Sequence, residues 1–375
     1  MYSLYFHIPF CVKKCNYCSF YIIPTENKDF SIMKDKYLES MKNELMNIKP
    51  KLKNNKIYSI YFGWWTPSEL WLERVVDLLN FIKREFDLNN CQEISFELNP
   101  NPLNQTLEFI NTLPNIVDNF RFSIWIQSLE NDILKKSWRN YNFQFIEKLM
   151  KNIKENKKFH LNLDFISFGI EKDFNIFNNF LNKNKDKIDS LSIYTLELFS
   201  GSIWGSTYQT NEDKILDNFE KYINIVKKYN YKRYEISNFA KKWRESKHNQ
   251  VYWEMKEYIW IWSSASGFHT LHNWNKVRYT NSYWIQNYIK WKFEYKEYKK
   301  LTKQEFLEEQ IFLGLRTDKW IKLTDNIKKI LNLKKINEFR EHWYLTEKNN
   351  YLYFTDKWFN LYNYIITEIL KLKTK

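Results

Sequence analysis

The sequence predicts an α/β chain: a parallel, partly closed barrel of six βα units, followed by a smaller α+β domain. Three observations predict it. Strand-like apolar runs alternate with amphipathic helical stretches at spacings that suit βα units. The polar motifs fall at or just after the ends of those runs, where parallel barrels gather their active sites. Beyond about Leu301 the pattern changes to short helices and a hairpin.

The expected strands are Leu4–Ile8, Ile57–Phe62, Glu93–Glu97, Arg121–Ile126, Leu161–Ile166 and Ser190–Thr195. Helical periodicity fills most gaps, over Ser31–Asn47, Pro67–Phe86, Gln105–Thr112, Phe143–Asn156 and Phe174–Asn184. The tail reads as helix Gln304–Leu315, a turn containing Trp320, helices Asp325–Leu331 and Ile336–Trp343, hairpin Tyr344–Phe354 and helix Trp358–Leu370. That order resembles a winged helix. The predicted organisation is therefore a barrel over residues 1–200, a connecting region over 201–300 and a winged-helix-like domain over 301–375.

The chain's most informative segment is Cys11-Val-Lys-Lys-Cys15-Asn-Tyr-Cys18. Its C-x3-C-x2-C spacing suits three thiolates on one iron–sulfur cluster, and three ligands on a four-iron cluster leave one iron open to a substrate or cofactor. A structural zinc site would want a fourth Cys or His at a second pair spacing. Cys91 reads instead as a small buried apolar residue, although His7 could close a zinc site on spacing alone.

The context of those cysteines, Tyr5-Phe-His7-Ile-Pro9-Phe-Cys11, resembles the start of radical S-adenosylmethionine (SAM) enzymes of the oxygen-independent coproporphyrinogen oxidase group. Gly63-Trp-Trp-Thr66-Pro67-Ser68 stands where the family has a triple-glycine, Thr, Pro loop. Glu97-Leu-Asn99-Pro100, Ser123-Ile-Trp125-Ile-Gln127-Ser128, Trp138-Arg139 and Asp164 follow in family order. The resemblance implies an incomplete (β/α)6 radical SAM barrel, open on one side for a large substrate. It also implies a 4Fe-4S cluster on Cys11, Cys15 and Cys18, with SAM chelated to the open iron and split by a reducing electron. By resemblance Tyr5, Tyr17, Gly63, Trp64, Trp65, Thr66, Glu97, Gln127, Arg139 and Asp164 occupy SAM-contacting positions. The carboxylates suit that task, since they accept from an ammonium or from ribose hydroxyls.

Tryptophan stands at family glycine positions in otherwise intact motifs: Trp64, Trp65, Trp125, Trp138, Trp243, Trp260, Trp262, Trp320 and Trp358. Average usage would put glycine at about 7%, or roughly 26 residues in a chain this long. The sequence has 6 Gly and 16 Trp. We read this as a source that translates UGA as glycine, with the sequence written as though UGA were tryptophan. Trp253 is an exception, because the family has tryptophan there.

Two features bear on the branch of the family. His248-Asn249-Gln-Val-Tyr252-Trp253 resembles the H-N-x-x-Y-W signature of HemW-type heme chaperones, which implies heme contact by His248 and Tyr252. The oxidases carry one more cysteine two residues beyond the third, where this chain has Phe20, and a longer N-terminal extension. The expected function is that of a heme chaperone binding the cluster, SAM and heme, with an electron donor and a heme-acceptor protein as partners. The alternatives are oxidative decarboxylation of coproporphyrinogen III to protoporphyrinogen IX, and a noncatalytic cluster and heme binder whose SAM pocket is blocked by Trp64 and Trp65.

The formal net charge is +14, but the lysines are scattered, and Lys, Asn, Ile, Tyr and Phe are all abundant as in A/T-rich coding. Nucleic-acid binding is accordingly not expected, while a peripheral membrane contact or an acidic partner stays open. No stretch approaches the roughly 18 consecutive apolar residues of a spanning helix. The N-terminus opens directly on a strand, without the pattern of a signal peptide. An oxygen-sensitive cluster fits a reducing cytoplasm, which is the expected location.

Overall fold

The computed structural model describes residues 1–375 except 20–21, 27–29, 65, 156, 263–265, 271–274, 282–284, 294, 320, 356–360 and 371–375. Phe20, Trp65, Trp320 and Trp358 thus lie outside the described residues.

Strand β1 (Tyr2–Ile8) leads into the cysteine loop, which is pinned by the short parallel pair β2 (Phe10–Cys11) and β3 (Ile23–Pro24). Then come β4 (Ile57–Trp64), β5 (Glu93–Leu98), β6 (Phe120–Gln127), β7 (His160–Ser167) and β8 (Ser190–Thr195). The order β1-β4-β5-β6-β7-β8 is parallel throughout. Each strand lies within two residues of its expected bounds. One face of the sheet packs Phe6, Phe62, Phe96 and Phe122 under the outer helices. The other carries small polar groups: Ser3, Ser59, Ser95, Ser123, Asn162 and Ser192 are all buried. Burial on both faces explains the near-continuous apolar runs of parallel strands, and the serines leave space inside the barrel.

The outer layer is built from helices Ser31–Ile48, Leu72–Glu85, Leu103–Thr112, Phe143–Asn152 and Phe174–Asn184. The expected single helix Pro67–Phe86 is in fact two pieces, a 3-10 turn over Pro67–Leu70 and the α-helix from Leu72. Trp71 separates them with φ 66 and ψ 151, a conformation that no helix continues.

Residues 201–300, read from sequence as connecting, extend the sheet at both edges. Strand β10 (Asn238–Ala240) adds antiparallel to β8, and β9 (Lys232–Arg233) pairs antiparallel with β10. On the far side β11 (Tyr258–Ile261) joins β1 in parallel, and β12 (Ser266–Thr270), β13 (Lys276–Asn281) and β14 (Tyr295–Lys300) follow antiparallel, making twelve strands. β14, Tyr-Lys-Glu-Tyr-Lys-Lys, is exposed along its length, so it lacks the apolar alternation that marks a strand. No helix among the described residues is long and apolar enough to cross a membrane.

The C-terminal part has its own apolar core around Ile311, Leu315, Phe339, Leu352 and Ile366. Helices Lys303–Gly314, Asp325–Ile330, Leu333–Glu341 and Tyr362–Ile369 surround a three-stranded sheet. It joins the barrel through an antiparallel bridge between Glu235 and Thr317, and through Asp318 N donating to Tyr234 O at 3.0 Å.

Among the described residues, six of the non-glycine residues with positive φ are tryptophans: Trp71, Trp138, Trp243, Trp262, Trp291 and Trp343. Five of these are also exposed, Trp243 to 73% and Trp343 to 77%. A left-handed backbone costs an L-residue about 1–2 kcal/mol. Six such sites would cost about 6–12 kcal/mol, comparable to the net stability of a whole domain. Glycine removes that cost.

Candidate cofactor and ligand cavity

A cavity of about 790 Å³ opens at the C-terminal ends of the central strands. Its cysteine end is held by backbone contacts: Cys18 N donates to Cys15 O at 3.1 Å, Trp204 N donates to Asn16 O at 2.9 Å, and Asn16 Nδ2 donates to Lys136 O at 2.8 Å. Cys11, Cys15 and Cys18 are free thiols that all line the cavity. Burial pushes the Cys11 thiol up, although Thr66 Oγ1 donates to its sulfur at 3.6 Å. Among the described residues no group of three or more His, Cys, Asp or Glu is arranged to hold a single metal ion. Three thiols spread over one cavity suit a cluster, which meets each thiolate at a different iron. His7 packs its ring on Trp262 at 3.8 Å and is absent from the cavity wall. Cys91 lies in the apolar core, where burial raises its thiol to about 11.

The strands bring Tyr5, Glu97, Gln127 and Asp164 to the same wall, joined by Tyr17 and Arg139. Tyr61 donates to Glu97 Oε1 at 2.6 Å, and its ring stacks on Tyr5 at 5.7 Å. Gly63 permits this: a Cβ there would run into the Tyr61 ring and come within 3.1 Å of Glu97 Oε1. Arg139 donates to Asn99 Oδ1 at 3.0 Å and to the Tyr17 hydroxyl at 2.9 Å. Burial disfavours the guanidinium charge, but Cys15, Tyr141 and Tyr17 more than restore it. Asp164 accepts from Ser123 at 2.7 Å and from Asn162 at 2.8 Å, and burial raises its carboxyl. Thr66 sits one layer back, between Asn99 and Cys11.

Gln127 Oε1 and Arg139 Nε, both of residues on this wall, are buried with no hydrogen-bond partner among the described residues. Gln127 also has φ 64, at a register shift between β6 and β7. A buried orphan of this kind costs about 1–3 kcal/mol. These atoms, with Glu97 and Asp164, fit a zwitterionic ligand that both donates and accepts, as SAM does.

His248 and Tyr252, the residues expected to contact heme, are hydrogen-bonded to each other in this structure. His248 is fully buried, with Nδ1 2.8 Å from Ser59 Oγ and Nε2 2.7 Å from the Tyr252 hydroxyl. Burial lowers its imidazole to about 3. The helix Lys247–Trp253 is anchored from inside the barrel by Glu93, which accepts from Lys247 N, His248 N and Ser246 Oγ. Asn249, not His248, reaches the cavity.

Sequence reading passed over Tyr61, Arg121, Asn249, Arg233 and Arg316, all of which line the cavity. Arg121 had a signal: it is a cation within the apolar run of β6. Trp125 also lines the cavity, beside Cys15 and Ile22. Trp125 and Trp260 have strand backbone, so φ does not single them out as glycine sites.

Comparison with known proteins agrees with this architecture. The Radical SAM superfamily model matches residues 5–182. A protein named heme chaperone HemW from Lactococcus lactis is 29% identical over 98% of this chain and 97% of its own length. HemW from Buchnera aphidicola of Schizaphis graminum is 32% identical over 78% of this chain and 76% of its own length. The Escherichia coli coproporphyrinogen III oxidase HemN, a radical SAM enzyme, superposes with a TM-score of 0.78, covering 97% of this chain and 89% of its own at 17% identity. With the cysteine loop, the barrel and this level of identity in hand, the chain belongs to the radical SAM superfamily and, within it, to the HemW family.

Proposed function

We propose that this protein binds a 4Fe-4S cluster through Cys11, Cys15 and Cys18, SAM at the adjoining strand ends and heme in the remaining cavity, and that it hands heme to an acceptor protein. The observation that carries the reading is that one cavity is lined both by three thiols outside any disulfide and by a wall of buried polar groups with orphaned atoms. The cluster, when bound, supplies an open iron and electrons for SAM chemistry. The chain's own part is placement. Arg139 fixes Asn99 and Tyr17, Tyr61 turns Glu97 toward the ligand, and Ser123 with Asn162 holds Asp164. Phe20, where the oxidases carry a further cysteine, favours the chaperone over the oxidase reading.

The test is anaerobic reconstitution, followed by separate incubations with heme and with coproporphyrinogen III plus SAM and reductant. The proposal expects about four irons per chain, saturable heme binding and no protoporphyrinogen. Turnover of coproporphyrinogen would establish the oxidase reading instead.

The same reading includes glycine at the tryptophan positions of the SAM loop and at the positive-φ sites. Tryptic peptide Ile57–Arg74 from the native source spans Trp64, Trp65 and Trp71 and settles it by mass. Glycine masses support recoding; tryptophan masses would favour the noncatalytic binder with a blocked SAM pocket.

A further inference from the structure

The cavity has a second, cationic region that the SAM-contacting motifs leave unused. Arg233 on β9 is buried and lies over Phe219 at 5.3 Å and Phe239 at 5.8 Å, with Nε and Nη2 both donating to Ile236 O. Arg316, from the C-terminal part, is held between the rings of Trp253 at 4.8 Å and Tyr362 at 5.1 Å. Its Nε is buried with no hydrogen-bond partner. Both arginines line the cavity together with Asn249 and Tyr362. Arg121, buried on β6 with its own Nε lacking a hydrogen bond, adds a third guanidinium to the lining.

Glu93 and Asp164 act on Arg121, and Arg233 keeps further partners, so the open donor at this end is Arg316 Nε. Glu235, which feels both Arg316 and Arg233, accepts from Ser237 N and Asn238 Nδ2 and is not on the cavity wall. Burial raises its carboxyl, which weakens it further as a counter-ion. Glu197 does line the cavity, from the exposed stretch after β8. The lining also includes Phe199, Leu216 and Phe219, an apolar surface. A ligand suited to these walls has a broad apolar body with anionic groups on one edge, since a guanidinium in a low-dielectric site pairs best with a carboxylate.

We propose that Arg233, Arg316 and Asn249 form a carboxylate-binding end of the cavity, which takes the propionate edge of a tetrapyrrole while Phe199, Leu216 and Phe219 receive its ring. This rests on the heme reading above and gives Asn249 a direct role, with His248 as its buried support. It also explains why the C-terminal part is joined to the barrel beside Glu235: Arg316 completes the site.

The experiment titrates the reconstituted full-length protein with heme and, separately, with heme dimethyl ester, which keeps the ring and iron but lacks both charges. The wild type is expected to bind heme about tenfold or more tightly than the ester. Arg316→Gln should weaken heme binding by about the same factor and bring it level with the ester, with iron content as the folding control. Equal affinity of the wild type for heme and ester would overturn the carboxylate end while leaving heme binding intact. Binding of neither would overturn the heme reading and the subsite together.

Discussion

The cysteine end of the cavity and the helix that carries His248 hold similar residue types in opposite states. At the first, Gln127 Oε1 and Arg139 Nε are buried without partners. At the second, both nitrogens of His248 are engaged, by Ser59 and Tyr252, and Glu93 takes the backbone donors of the helix start. A site awaiting a ligand leaves donors and acceptors open, whereas a structural residue satisfies its own, as His248 does although Trp253 Nε1 on the same helix does not. Recruiting His248 to an iron through Nε2 would first break its buried hydrogen bond to Tyr252, at about 1–3 kcal/mol for the group left unsatisfied. The difference teaches that a motif's residue types are not enough to assign it. Their partners decide.

The sharpest way to break this comparison is at the thiols. Replacing Cys11, Cys15 or Cys18 by Ser should abolish stable cluster assembly, read as iron and sulfide content, whereas Cys91→Ser should leave it unchanged. If Cys91→Ser also lost the cluster, the cavity would have been misassigned.

His248 offers the next largest effect. Burial lowers its imidazole from the ordinary 6.5 to about 3, so between those limits the unfolded chain binds the extra proton and stability rises with pH. The group contributes a slope of up to about 1.4 kcal/mol per pH unit in that window, and the contribution is lost as pH falls. His248→Gln should show a shallower acid limb than the wild type in denaturant melts from pH 4 to 7, and its heme absorption band should keep its position. A shifted band would restore His248 as an iron ligand.

Arg139→Met removes the group that fixes Asn99 and Tyr17, and should weaken SAM binding about tenfold to a hundredfold while the cluster remains. The smallest effect is expected at the surface. Trp243→Gly and Trp343→Gly sit at φ 68 and φ 62 and should each stabilise the chain by about 1 kcal/mol in denaturant melts. Destabilisation at both would count against glycine at these positions.

Much of this was legible in the sequence. The six central strands stand out because burial on both faces makes apolar runs, and the cysteines stand out by spacing. Glu97 and Gln127 lie at the ends of their strands, Asp164 lies inside β7, and the family resemblance placed all three. The edges of the sheet were not legible: β9 and β10 are two and three residues long, and β14 is charged throughout. Nor were Arg233 and Arg316, which line one cavity across 83 residues of sequence only because the C-terminal part docks beside Glu235. The burial of His248 depends on Glu93, another contact invisible to local pattern. Trp71, Trp291 and Trp343 were not among the expected glycine positions; their backbone reveals them.

The account's central claim is that this cavity holds heme to be passed on. The most direct measurement is transfer: the reconstituted protein is loaded with heme, separated from free heme, and mixed with a heme-free acceptor cytochrome from the same source, while absorption follows both proteins. Loss of heme from this chain, matched by gain on the acceptor, is the predicted result. Heme that stays bound whatever acceptor concentration is supplied, or a chain that takes up none, would contradict it.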